Sequence, residues 1–190
     1  MIIYLHGFMS GPGSFKATQM RDFMAEQGWA DEYQCPKLSP YPAQAMAALS
    51  ELIAALPVKP GLIGSSLGGY YALYLARKFE CRAVLVNPAI KPYQDLQRFL
   101  GPQVSPYTGE AFTLTESHMD ELRSLETPSP ERLADYWLLT QTGDEVLDYR
   151  LAVDKLMGVN MTIEVGGDHS FVHFERHLRH IVNFLTHAGT

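Results

Sequence analysis

Basic runs are missing from this chain of 190 residues. Lys and Arg together number 15 against 21 Asp and Glu, which leaves a net charge of −6. A nucleic-acid surface usually needs a clustered basic patch, so no nucleic-acid partner is expected. Cysteine is also scarce. Cys35 and Cys81 fit neither a disulfide framework nor a zinc-site spacing. Each falls in or near an apolar segment, where a free thiol packs as a small hydrophobe. Long hydrophobic runs are absent too. The opening stretch MIIYLHG is far too short for a signal peptide or a membrane span, so a cytoplasmic location and no membrane partner are expected. There is no internal repeat, low-complexity tract or second-domain linker.

What the chain has is apolar residues, 46% of the total, enough for a core within one domain spanning residues 1–190. Six short apolar runs predict buried strands: Ile2–Leu5, Tyr33–Cys35, Gly61–Ile63, Ala83–Val86, Tyr136–Thr140 and Thr162–Val165. Most are uninterrupted, as expected for parallel strands covered on both faces. Between them lie helical spacings. One runs from a Ser14 cap to about Gln27, with Gly28 as a stop. Others run over Pro42–Leu56, Leu67–Phe79, Glu145–Met157 and Phe171–Phe184. Strand–helix alternation predicts an α/β fold of about six mostly parallel strands flanked by helices. In such sheets the site lies at the carboxyl ends of the strands. The piece from Pro88 to Pro130 breaks the alternation. It is rich in Pro, Gly, Ser and Thr yet carries several aromatics, and loops this long usually have a role. A small cap over the site is expected, with a helix near Glu116–Leu125.

The stretch GLIGSSLGGYY, Gly61 to Tyr71, sits between one strand and one helix. Its G-x-S-x-G pattern suggests a strand–serine–helix turn that exposes a nucleophile. So tight a turn leaves almost no room two residues to either side of the nucleophile. With Ser66 those positions are Gly64 and Gly68; with Ser65 they are Ile63 and Leu67, which would clash. Ser66 is therefore the candidate. A serine hydroxyl needs a base within hydrogen-bond reach, and the base needs an acid to orient it. Downstream, TGDEVLDY puts Asp144 just past a strand, and GGDHSF puts His169 just past the final strand. Ser66, Asp144 and His169 would then meet at one rim, in the chain order serine, acid, histidine. Glu145 and Asp148 are nearby alternative acids, Asp148 lying one turn into its expected helix. Asp168 reads as a turn residue, and His6 as part of loop structure.

Charge develops on a carbonyl oxygen during acyl transfer, and two backbone N–H groups should hold it. One is that of Leu67, which follows Ser66. The other should come from LHGFMSGPG, with Phe8 as first donor and Met9 as second. Pocket candidates are Phe8, Met9, Tyr70, Phe171 and the cap aromatics, which suit an apolar acyl group.

In combination YLHGFMSGPGSFK, GSSLGGYYA, LVNPAIKP, TGDEVLDY and GGDHSF resemble the α/β-hydrolase superfamily, and within it the small YqiA-like bacterial esterases. The resemblance spans nearly the whole chain. It implies a compact α/β-hydrolase fold that starts at the strand before the oxyanion loop and lacks the two leading strands of larger hydrolases. It also implies a serine esterase acting on a small-molecule carboxylic ester or thioester through an acyl-enzyme, with Ser66 as nucleophile, Asp144 as acid, His169 as base, and no metal or other cofactor. The natural acyl and alcohol groups stay open, as does the oligomeric state.

Three other readings compete. His173 and His177 fall i, i+4 on the expected last helix, a possible zinc pair, although HFERH lacks the glutamate placement of HExxH. A non-catalytic binding module on the same fold is a second. Carbon–carbon hydrolysis or lyase chemistry on the same three residues is the third.

Overall fold

Four consecutive residues of a buried parallel strand must be apolar on both faces, and Ala83–Val86 shows the consequence: all four are fully buried. The computed structural model describes residues 1–186. It builds one sheet from β1 (Ile2–Leu5), β2 (Tyr33–Gln34), β3 (Gly61–Ser65), β4 (Ala83–Val86), β7 (Tyr136–Gln141) and β8 (Asn160–Glu164). The order is β2-β1-β3-β4-β7-β8 and every pair is parallel. Side chains alternate between the two faces, as the strand period requires. Ile3, Leu5, Leu62, Leu85 and Leu138 join a core beneath α2 (Pro42–Ala54), α3 (Leu67–Phe79) and α6 (Tyr149–Lys155). Ile2, Tyr4, Ile63, Val84 and Leu139 join a second core beneath α1 (Phe15–Glu26) and α7 (Leu178–Thr186). Among the described residues no helix is long and apolar enough to cross a membrane.

The connection from β4 to β7 holds α4 (Pro92–Asp95), an antiparallel hairpin of β5 (Gly101–Val104) and β6 (Ala111–Leu114), and α5 (Glu116–Ser124). The helix matches expectation; the hairpin is new. Its strands read GPQV and AFTL, too short and too polar for the apolar-run test. Only Phe112 and Leu114 of β6 are buried.

Two helices differ from expectation. The run read as Glu145–Met157 becomes helical only at Tyr149. Asp148 therefore stands at the helix entrance, not a turn inside, and accepts the Arg150 N–H at 3.0 Å as an N-cap should. The run read as Phe171–Phe184 begins as a loop, passes through a 3-10 turn at Phe174–His177, and becomes α7 at Leu178. Phe171 and His173 both have φ of 62°, a left-handed conformation that no α-helix tolerates. His173 and His177 thus do not share a helix face. They bond Glu175 and Glu164 respectively.

Candidate active site

Three strand ends converge on one rim. Ser66 follows β3 with φ 55° and ψ −122°, a conformation costly for a non-glycine residue and held by its main chain. Its N–H donates to the Val86 carbonyl at 3.1 Å, and its carbonyl accepts from Gly69 at 2.9 Å and Ala89 at 3.0 Å. The flanking glycines are required by contact. A Cβ on Gly64 would lie 2.2 Å from the Gly68 oxygen, and one on Gly68 would lie 2.0 Å from the Leu5 oxygen. Ser65 turns the other way. It is buried, with its side chain near the buried Tyr4.

Asp144, just past β7, and His169, in the loop after β8, complete the constellation. The His169 Nε2 stands 3.2 Å from Ser66 Oγ, and its Nδ1 stands 2.8 Å from Asp144 Oδ2. The Asp144 side chain is 2% exposed. Burial alone would raise its carboxyl pKa. Hydrogen bonds from His169, Leu147 N–H and Val146 N–H outweigh that and hold it below the usual carboxylate range. The competing acids are engaged elsewhere. Asp148 pairs with Arg150 at 2.8 Å, and Glu145 accepts the His169 main-chain N–H at 3.0 Å. Neither cysteine offers a rival nucleophile, since burial pushes the Cys35 thiol up to about 12 and that of Cys81 up to about 11.

The loop after β1 presses on Ser66. A Cβ on Gly7 would come 3.2 Å from Ser66 Cβ and 3.6 Å from its Oγ. Among the described residues neither Phe8 N–H nor Leu67 N–H has a main-chain acceptor. His6 braces this loop. Burial lowers its pKa, which favours the neutral ring. Its Nδ1 lies 3.0 Å from the Gly7 carbonyl, and its Nε2 accepts Leu38 N–H at 3.1 Å.

A cavity of about 290 Å³ opens against the same loop, lined by Gly7, Phe8, Met9, Leu67, Tyr71, Tyr107 and Phe112 among others. The hairpin forms one wall. The Phe8 ring packs at 5.3 Å from Phe99 and 6.1 Å from Phe112. Met9 belongs to the lining, but Tyr70 and Phe171 do not. The Tyr70 ring is buried under α5, and its hydroxyl donates to the Leu122 carbonyl at 2.7 Å. Phe171 is fully buried against Phe174 on the opposite face of the sheet. Adjacency in sequence misplaced both: Tyr71, one residue on from Tyr70, is the one at the cavity.

Three polar side chains were missed by sequence reasoning. Asn87 and Gln141, both 2% exposed, bond the main chain around His169, and the Lys16 ammonium donates to the Ser170 carbonyl at 2.7 Å. A signal existed for the first two. Each is an amide that ends an apolar parallel strand (AVLVN, YWLLTQ), so it had to lie at the carboxyl rim.

The sequence profile of the "Uncharacterised protein family (UPF0227)" matches residues 1–186. Solved structures share the fold. Alpha/beta hydrolase domain-containing protein 10 from mouse superposes with a TM-score of 0.72 at 18% identity, over 97% of this chain and 90% of that one. The monoacylglycerol lipase of Paleococcus ferrophilus gives 0.65 at 16%, over 96% and 94%. Est1E from Butyrivibrio proteoclasticus gives 0.63 at 16%, over 97% and 84%. The six-stranded parallel sheet with its flanking helices is an α/β-hydrolase fold.

Proposed function

The chain belongs to UPF0227, the YqiA-like family, and from that premise we propose that it is a serine esterase that hydrolyses carboxylic esters or thioesters of small molecules. The observation that carries this reading is the pair of distances at His169, 3.2 Å to Ser66 Oγ and 2.8 Å to Asp144 Oδ2. Names of the fold neighbours, a lipase among them, agree with it.

In this mechanism His169 Nε2 takes the Ser66 proton as Oγ attacks the acyl carbonyl. The Nδ1–H donates to Asp144, which fixes the tautomer and stabilises the imidazolium. The N–H groups of Phe8 and Leu67 donate to the oxyanion. As the tetrahedral intermediate collapses, His169 returns the proton to the departing alkoxide or thiolate. Water then enters, gives a proton to His169 and attacks the acyl-enzyme, and Ser66 is reprotonated as the acid leaves. In this reading the cavity beside Phe8 and Met9 takes an apolar acyl group against Phe8, Met9, Leu67 and Phe112.

The test is a panel of p-nitrophenyl esters and acyl thioesters of graded chain length, run on the wild type and on Ser66→Ala. Turnover lost with Ser66 supports the reading. Turnover that survives in Ser66→Ala, or is absent across the wild-type panel, removes it.

A further inference from the structure

His169 hangs from a loop that barely bonds to itself. Within residues 168–172 the main chain makes one internal hydrogen bond, Phe171 N–H to the Asp168 carbonyl at 3.1 Å. Two residues with positive φ, Gly166 and Gly167, lead into it. Yet the imidazole must stay within about half an ångström of its working place between Ser66 and Asp144.

The missing order comes from Asn87 and Gln141. Asn87 Nδ2 donates to the Asp168 carbonyl at 3.0 Å and to the His169 carbonyl at 3.3 Å. These oxygens belong to the two peptide planes on either side of the His169 Cα. The first plane is also held at its other end, where His169 N–H meets Glu145. Asn87 Oδ1 is anchored in turn by Gln141 N–H at 3.0 Å and the Thr140 hydroxyl at 3.2 Å. Gln141 Oε1 accepts Asp168 N–H at 3.2 Å and Val172 N–H at 2.9 Å, while its Nε2 donates to the Val172 carbonyl and Glu164 at 2.8 Å each. Each amide thereby uses all four of its hydrogen-bonding positions. The fit leaves no slack: a Cβ on Gly167 would lie 1.9 Å from Gln141 Oε1. Asn87 itself has φ 40°, where asparagine is better tolerated than most residues.

We infer that Asn87 is a positioning residue for His169, fixing both peptide planes that carry the imidazole, with Gln141 as its anchor. The inference rests on the hydrolytic reading of Ser66, His169 and Asp144. It predicts an effect on the chemical step and not on substrate binding, because Asn87 reaches the site only through the Asp168 and His169 carbonyls.

The test is Asn87→Asp, which keeps the shape, the tolerance of positive φ and the Oδ1 acceptor, but turns a second acceptor toward the two carbonyls. Two readouts are taken on the folded protein: kcat and KM for the best ester of the panel, and the downfield proton resonance of the His169 Nδ1–H that faces Asp144. We expect kcat to fall about 100-fold, the size of a small misplacement of a catalytic group, with KM unchanged and the resonance shifted or broadened. Asn87→Gly suits the backbone and lacks the amide, so it serves the same reading should the aspartate variant not fold. Wild-type kcat together with a wild-type resonance in either folded variant overturns the inference. So does failure of both to fold, which would make Asn87 a residue of general stability. If the wild type itself shows no Ser66-dependent turnover, the proposed function fails, while the resonance still reports whether Asn87 holds His169.

Discussion

The turn at Ser66 and the loop at His169 present two halves of one site by opposite means. The Ser66 turn is held by main chain and by the absence of side chains. Its N–H and carbonyl are bonded to neighbouring backbone, and Gly64 and Gly68 allow α3 to press onto β1 and β3. The His169 loop is held by side chains that arrive from four places, Lys16, Asn87, Gln141 and Glu145. A turn built from sterics is local and leaves a motif. A loop built from borrowed hydrogen bonds is distributed over the chain and leaves no single local motif.

The strongest way to sharpen this contrast is at Ser66, the proposed nucleophile. Ser66→Ala should reduce kcat on the order of 10⁴–10⁶-fold, as removal of a triad nucleophile does. Ser65→Ala, a change at a buried side chain outside the Ser66–His169–Asp144 contacts, should keep most of the activity. A dead Ser65→Ala beside an active Ser66→Ala would transfer the whole turn by one residue.

Next comes Asp144, the proposed acid. Asp144→Asn should lower kcat about 10⁴-fold by favouring the wrong histidine tautomer. Asp148→Asn loses an exposed cap and ion pair and should leave kcat nearly unchanged. Glu145→Gln keeps an acceptor for His169 N–H and should fall between them. Rates for the three, each with circular dichroism as the folding control, rank the carboxylates; a crippled Asp148→Asn would move the acid to the helix entrance.

The steric half can be broken without touching chemistry. Gly68→Ala places a methyl 2.0 Å from the Leu5 oxygen, backbone that cannot step aside. A loss of about 4 kcal/mol or more is expected, in the exceptional class of single substitutions, measurable by urea unfolding. Stability near wild type would mean that α3 is free to lift from the sheet.

The smallest effect tests the borrowed half. Burial drives the Lys16 ammonium down to about 8, against the pull of Asp168 and Asp144. Between about pH 8 and the ordinary lysine value of about 10.4 the unfolded chain binds more protons at this residue than the folded one, so stability rises with pH there. Thermal melts of wild type and Lys16→Met across that window should show the wild type gaining on the variant as pH increases. A constant gap would show that the lysine titrates normally.

Much of this was legible in the sequence because it depends on short-range rules. Short apolar runs marked all six sheet strands, although β3 runs two residues past Ile63 and β8 begins two residues before Thr162. Glycines two residues to either side chose Ser66 over Ser65, and strand ends put Asp144 and His169 at the same rim. Where periodicity extended into loops it misled. Val146, Leu147 and Phe171 have helical spacing, yet Val146 and Leu147 N–H are taken by the Asp144 carboxylate, and Phe171 turns left-handed to reach the core.

What the sequence by itself determined is therefore the sheet, the serine turn and the placing of Ser66, Asp144 and His169 at one rim, since steric exclusion and the strand period act between near neighbours. Only the tertiary structure decided which amides hold His169, that Tyr71 and not Tyr70 reaches the cavity, and that a polar hairpin closes its side. Those outcomes depend on which groups of residues 16, 87, 141 and 145 arrive within hydrogen-bond distance of one five-residue loop, and that distance is set by the packing of the whole sheet.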